Sequence, residues 1–251
     1  MHVESRHAPN FTVVRCHLQP EEQVKVGSGA MYATSHGVRL DSGVDGGLMK
    51  GVRRKFLGGQ SFFITTYTAP ADGGWIDVAA KLPGDVATIR VAPDNPFFLT
   101  AGSCLAHEAN VTFDTAWGGM KNLSGPEGSF VLRTEGKGRV VLGAYGAIDT
   151  VKLATGERIT VDSGHVLAYD GTVSFRMREA VEGNVIQSFF SGEGIVFDFT
   201  GPGQLILQSR NPQALVDWIK RKLPAPRGSE HSRPERSGLN VKINGRTPPF
   251  M

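Results

Sequence analysis

Clusters of reactive side chains are scarce in this 251-residue chain. Its two cysteines, Cys16 and Cys104, show no C-x-x-C spacing. That excludes a disulfide framework or a thiolate zinc knuckle and predicts two small buried apolar residues. No run approaches ~18 consecutive apolar residues, so no spanning helix is expected. The opening MHVESRHAPNFTVV lacks a basic start followed by an apolar stretch, and it is not the Arg-rich amphipathic start of an organellar presequence. The expectation is a cytoplasmic protein. Seven histidines are scattered, and none forms the His-x-His with a following Glu that strand alternation would aim at one metal ion. His107 and Glu108 are adjacent, so on a strand they point to opposite faces. Gly27-Ser28-Gly29 and Gly102-Ser103 fall short of the G-x-S-x-G elbow, and no phosphate loop ending in Gly-Lys-Ser/Thr occurs. No cofactor is expected. A hydrolase or metal enzyme would have to rest on His107, Glu108 and His165.

What the chain does have is repetition. Residues 18–40 (LQPEEQVKVGSGAMYATSHGVRL), 91–113 (VAPDNPFFLTAGSCLAHEANVTF) and 153–175 (LATGERITVDSGHVLAYDGTVSF) superpose without a gap, at offsets of 73 and 62. Gly29, Gly102 and Gly164 coincide, as do Ala33, Ala106 and Ala168, and then Val38, Val111 and Val173. Internal repetition fixes architecture before any motif does. Val24 and Val26, or Ile159 and Val161, alternate as half-buried strands do, and the shared Gly marks positive φ or a close approach. Each copy therefore reads as a β-hairpin. A second strand-turn-strand unit trails it, from Ser61, Ser129 and Gly194, and each carries a threonine (Thr66, Thr134, Thr200). The 32 glycines and 14 prolines suit short strands and tight turns. The expected fold is all-β: three repeated β-sandwich-type modules in a pseudo-threefold body, at about 14–80, 88–146 and 150–208. Gly29, Gly102 and Gly164 are its structural glycines.

One segment reads as a helix, 212–223. Asn211-Pro212 caps it, Leu215, Trp218, Ile219 and Leu223 recur at helical spacing, and Pro224 ends it. Its apolar face is expected to pack on the sheets or on a neighbouring subunit. The net charge of +3 hides an asymmetry, because residues 220–251 hold eight Lys/Arg against two Asp/Glu. Residues 224–251 form a basic tail, rich in Pro, Ser and Arg, with too little apolar area to offset its ordering entropy. A second basic cluster lies in the insertion 46–59. There Lys50, Arg53, Arg54 and Lys55 interleave with Leu48, Val52 and Phe56 at a spacing of four, which as a short helix puts a basic rim beside an apolar ridge.

Several ordered motifs together resemble a known family. They are Gly46-Gly47 with its basic run, Gly59-Gln60-Ser61-Phe62-Phe63, Leu82-Pro83-Gly84-Asp85 and Gly102-Ser103-Cys104-Leu105-Ala106. They continue with Gly192-Glu193-Gly194-Ile195, Phe199-Thr200-Gly201-Pro202-Gly203 and Leu207-Gln208-Ser209-Arg210. The chain resembles the altered-inheritance-of-mitochondria (mitochondrial biogenesis) family over about residues 12–222. The resemblance implies an all-β fold like that of the tryptophan RNA-binding attenuation protein, and it implies no reaction.

The expected function is a non-catalytic binding or scaffold protein. A repeated half-sandwich cannot close its own core and must pack on its copies, and uncovered edge strands favour a homo-oligomer. The basic cluster at Lys50, Arg53, Arg54 and Lys55 suits an anionic partner, an acidic protein or a membrane surface. Nucleic acid is the alternative, on the same charges and the borrowed fold.

Overall fold

The structure, a computed structural model, describes residues 1–41, 55–57, 60–62, 64–100, 102–114, 131–179 and 195–223. Strand β1 (His2–Arg6) leads into β2 (Val13–Leu18), β3 (Gln23–Gly27), β4 (Met31–Thr34) and β5 (Arg39–Asp41). A short pair, β6 (Lys55–Leu57) and β7 (Gln60–Phe62), precedes β8 (Ile64–Thr68) and β9 (Gly74–Ala79). Next come β10 (Val86–Val91), β11 (Phe97–Thr100), β12 (Cys104–Glu108), β13 (Val111–Asp114), β14 (Val131–Gly136) and β15 (Gly138–Gly143). Then follow β16 (Ile148–Leu153), β17 (Arg158–Asp162), β18 (Val166–Asp170), β19 (Ser174–Glu179), β20 (Ile195–Thr200), β21 (Gly203–Gln208) and one helix, α1 (Pro212–Lys222).

One pairing scheme occurs three times. In residues 13–79, with the short β6–β7 pair set aside, the last strand lies between the first and third (β2–β9–β4), and the fifth lies between the second and fourth (β3–β8–β5). The same two triplets form as β10–β15–β12 with β11–β14–β13, and as β16–β21–β18 with β17–β20–β19. A register shift recurs at Met31/Ala33, Cys104/Ala106 and Val166/Ala168. The bulge puts the shared alanine in its place on the sheet.

The hairpin expected at the shared glycine does not form in any unit. β3 and β4 belong to different sheets, and so do β8 and β9, with the same split in the other two units. The chain arches from one sheet to the other at these turns, whereas the fourth and fifth strands of each unit stay in one sheet and pair antiparallel. Alternating apolar residues look alike in both arrangements; here they meet across a core instead of along a ladder. Gly29 (φ 76°) and Gly102 (φ 93°) take the left-handed turn conformation at these arches. Gly164 does not. It sits in a single 3-10 turn, Ser163–His165, where the side chain of Asn211 leaves no room for a Cβ. The threonines of the trailing units are also not equivalent. Tyr67, Thr134 and Phe199 share one register position, opposite Leu40, Phe113 and Phe175, and Thr66 falls one residue away.

Strand pairs weld the units into four stacked sheets. The first has the order β1-β2-β9-β4, the second β10-β15-β12-β3-β8-β5, the third β13-β14-β11-β18-β21-β16 and the fourth β17-β20-β19. Each of the two middle sheets therefore joins triplets from two units. Val14, Cys16, Ile76 and Val78 of the first sheet meet Val24, Val26, Leu105 and Val141 of the second. The opposite face of the second sheet, with Ile89, Cys104, Val140 and Leu142, meets Phe97, Leu99, Leu167 and Ile206 of the third. The third then turns Phe98, Leu153, Tyr169 and Leu205 toward Val161, Phe197 and Phe199 of the fourth. Val140 and Val141, neighbours on β15, thus serve two different cores, as alternation on a strand requires. Among the described strands, no pairing joins the first unit to the third, so the strand order does not show the expected pseudo-threefold body. The first unit pairs with the second and the second with the third, while β4 and β17 each end a sheet.

Candidate functional site

The basic cluster divides. Lys55 begins β6, paired with Phe62, so the chain there is extended and not helical. Lys50, Arg53 and Arg54 lie outside the described residues, as does the tail 224–251. Their place in the topology is informative all the same: residues 42–63 connect the fourth and fifth strands of the first unit. Residues 115–130 and 180–194 make the same connection in the other two. The insertion is a longer version of a link that all three units carry, not an addition to one.

Helix α1 is where apolar and basic side chains stand together on the surface. Asn211 caps it, accepting hydrogen bonds from the amides of Gln213 (2.8 Å) and Ala214 (3.3 Å). The same side chain donates to Asp162 Oδ1 (3.3 Å), which also accepts from the Gly164 amide (2.9 Å). The first turn is thereby fixed to the 3-10 turn of the third unit. Gln213 donates to Asp217 one turn on, at 3.0 Å. Beyond that the helix stands clear, because none of its residues is buried. Trp218 is 54% and Leu223 63% exposed, and Val216 and Ile219 are exposed as well. Among the described residues, the sheets do not bury this face. Lys220, Arg221 and Lys222 fill the last turn, where cations complement the helix dipole.

A second surface belongs to the outer face of the first sheet. Glu4, Arg15, Asp77 and Ala33 lie in one cross-strand row over β1, β2, β9 and β4. Arg15 donates to Asp77 through Nε and Nη2, at 2.8 and 3.0 Å, and Arg6 adds a third bond at 2.5 Å. Burial opposes ionisation of Asp77, but the two guanidinium groups outweigh it and hold its carboxyl below the usual range. The Arg15 guanidinium also lies 3.7 Å from the centroid of the Trp75 ring. In the other units the places of Arg15 and Asp77 are held by Thr88 with Val141 and by Thr150 with Ile206. The terminal sheet has exchanged an apolar contact row for a charged, self-neutralised one, as an end unit of a stack requires. Sequence reasoning missed this cluster, because nothing in the order of residues joins Arg6, Arg15 and Asp77 until the strands pair.

The residues that a metal or hydrolytic site would need serve local structure. His107 is buried on β12, its Nδ1 3.0 Å from the Glu108 carbonyl oxygen and its ring edge-on to Phe113. Burial pushes its pKa down to about 4. Glu108 pairs with Arg139 (3.1 Å), and His165 Nδ1 lies 2.7 Å from the Gln208 carbonyl oxygen in the third unit. The Ser103 hydroxyl donates to the Thr100 carbonyl at 2.9 Å. Among the described residues, no three His, Cys, Asp or Glu side chains gather as metal ligands would. No described helix is long and apolar enough to cross a membrane.

Known proteins resemble this chain along most of its length. It is 28% identical over 222 residues to an uncharacterized protein of Streptococcus pyogenes serotype M6, a match spanning 85% of this chain and 88% of that protein. It is also similar to a crystal structure of a Streptococcus pyogenes protein, with a TM-score of 0.71 and 26% identity. That likeness covers 88% of this chain and 99% of the other. The family model described as mitochondrial biogenesis AIM24 matches residues 3–210, a span that takes in all three units and the β1 strand. With that match over nearly all of the described fold, the chain belongs to the mitochondrial biogenesis AIM24 family.

Proposed function

We propose that this protein is a non-catalytic scaffold whose stacked β body carries a basic, amphipathic element for an anionic membrane surface. One observation carries the reading: α1 is fixed at its first turn and exposes Trp218, Ile219 and Leu223 beside Lys220, Arg221 and Lys222. A short helix with aromatic and aliphatic residues on one side and basic residues at the rim enters the headgroup boundary of a bilayer. Each basic residue held near an anionic leaflet adds about 1 kcal/mol. The basic tail that follows in the sequence, and the cluster Lys50, Arg53, Arg54 and Lys55, add to the same attraction. We place the protein in the cytoplasm, since Cys16 and Cys104 are free and buried, as thiols of a reducing compartment are.

Co-sedimentation with vesicles tests this. Full-length protein is expected to pellet with phosphatidylserine-containing vesicles and not with neutral phosphatidylcholine ones. Replacing Trp218, Ile219 and Leu223 by Ser should remove most of that binding with an unchanged melting curve, since none of the three is buried. Replacing Lys50, Arg53, Arg54 and Lys55 by Ser should weaken it at low salt, because four positive charges that attract an anionic surface are removed. Equal pelleting of wild type and both variants would overturn the reading. Competition by mixed RNA at low salt, with a steep loss as salt rises, would instead assign the basic surface to nucleic acid. Capture on an acidic protein with no vesicle binding would overturn the membrane assignment.

A further inference from the structure

The units pair by one rule that the chain applies twice and leaves unused once. The third strand of the second unit, β12, pairs antiparallel with the second strand of the first, β3: Ala106 faces Val26, His107 faces Lys25 and Glu108 faces Val24. The third strand of the third unit, β18, pairs with the second strand of the second, β11, in the same register. There Ala168 faces Leu99, Tyr169 faces Phe98 and Asp170 faces Phe97. By the repeat offsets, Ala106 and Ala168 are equivalent to Ala33, and Val26 and Leu99 are equivalent to Val161. Ala33 lies on β4 and Val161 on β17, and among the described residues each of these strands ends its sheet with no neighbour on its outer side.

The free edges carry the marks of an uncovered joint. Met31 and Tyr32 are 46% and 68% exposed, while their equivalents Cys104, Leu105, Val166 and Leu167 are at most 6% exposed. Thr160 is exposed where Phe98 is buried, with its ring stacked on Tyr169 at 5.2 Å. β4 (Met31–Thr34) has no charged residue and no proline, the devices by which edge strands refuse partners. Within one chain the two edges cannot meet. They belong to the first and fourth sheets of the stack, about 30 Å apart at the usual ~10 Å between packed sheets.

We propose that a second copy of this chain fills the joint: β4 of one molecule pairs antiparallel with β17 of the next. The register sets Ala33 against Val161, Thr34 against Thr160 and Ser35 against Ile159. The fourth sheet of one copy and the first sheet of the next then become one continuous sheet with the strand order of the second and third. The charged row beside Tyr32 does not oppose this, because Arg6 and Arg15 both pair with Asp77 and Glu4 lies opposite Arg15 in the same chain. The contact joins two different surfaces, so each added copy presents a fresh edge, and assembly proceeds to a ring or a filament. This goes beyond the anionic-surface reading and is tested apart from it, since α1 takes no part in the joint.

The test uses full-length protein. Light scattering after size exclusion should give an assembly several times the 27.0 kDa chain mass. Tyr32→Lys and, separately, Thr160→Lys should each reduce it to the single-chain mass with a melting temperature close to the wild type's, since Tyr32 is exposed and Thr160 gives up one surface hydrogen bond, to Asp198. Thr34→Cys protein mixed with Thr160→Cys protein should cross-link under mild oxidation into a covalent dimer containing one of each. Opposed residues lie about 5 Å apart at Cβ, and those displaced by two lie about 7–8 Å apart. Thr34→Cys mixed with Arg158→Cys should therefore cross-link at least tenfold less. Native Cys16 and Cys104 stay silent, buried with thiols pushed up to about 12. A single-chain mass for the wild type, an assembly that survives Tyr32→Lys, or equal cross-linking in both mixtures would each overturn the proposal.

Discussion

At the scale of single residues, the buried titratable groups set how the fold answers acid. His107 is neutral in the folded protein, with a pKa near 4 against the ordinary 6.5. Between those values the unfolded chain takes up a proton that the folded chain refuses, so stability is complete above pH 6.5 and falls as pH drops toward 4. The loss is on the order of 3 kcal/mol. Denaturant titrations at pH 7 and pH 4.5 should show it, and His107→Leu should flatten the difference. Asp77 works in a lower window. Its contribution stands above the ordinary carboxyl value of 3.8 and is lost as pH falls through its depressed folded value. The equivalent glycines separate by mechanism. Gly102→Ala meets no atom within 4 Å but forces an L-residue to φ 93°, a cost of about 1–2 kcal/mol in global stability. Gly164→Ala drives a Cβ into the Asn211 side-chain amide, so the cap must swing away. About 1 kcal/mol of helix stability goes with it. In an Asn211→Ala background the second loss should largely vanish, a non-additivity that a double-mutant cycle on helical circular dichroism reads directly.

At the scale of elements, the strands and the helix differ in what holds them. The strands are fixed from both sides, by ladders within a sheet and by cores above and below it. Helix α1 is fixed by its first turn alone, and its 11 residues contribute no buried side chain. Short helices without tertiary packing are marginal in water. A chain ending at Arg210 should therefore keep the melting temperature of the full protein within a degree or two and lose its vesicle binding. A drop of ten degrees would mean that the helix packs on the body. Asn211-Pro212 and the spacing of Leu215, Trp218, Ile219 and Leu223 made this helix legible in the sequence. What covers its apolar face was not legible, because amphipathicity states that a face exists and not what it meets.

At the scale of the whole molecule, each middle sheet belongs to two units, so no unit can leave without opening a neighbour's core. Leu105 is covalently part of the second unit yet buried in the core of the first. Truncating it should cost about 2–5 kcal/mol, the usual range for a large-to-small change in a packed core. Calorimetry on the wild type should give one transition with matching calorimetric and van't Hoff enthalpies. Leu105→Ala should lower that transition or split the first unit from the rest. Two transitions in the wild type would show that the stack is less coupled than its shared sheets imply.

The order of residues by itself determined the all-β class, the three-part repeat, the positions of the recurrent glycine and alanine, and the capped helix. Each of these is a local property: period-two alternation, an internal offset, a cap followed by proline. The tertiary structure decided what those strands pair with. Alternation says that Val24 and Val26 share a face, and it is silent on whether that face meets the next strand of the chain or a strand 80 residues away, as β3 meets β12. Hairpins and arches therefore read alike, and so do closed and open arrangements of three units. The Arg6–Arg15–Asp77 cluster and the place of β4 and β17 as end strands arise only once sheets are stacked. Both are consequences of which unit stands at the end, and that position exists only in the assembled stack.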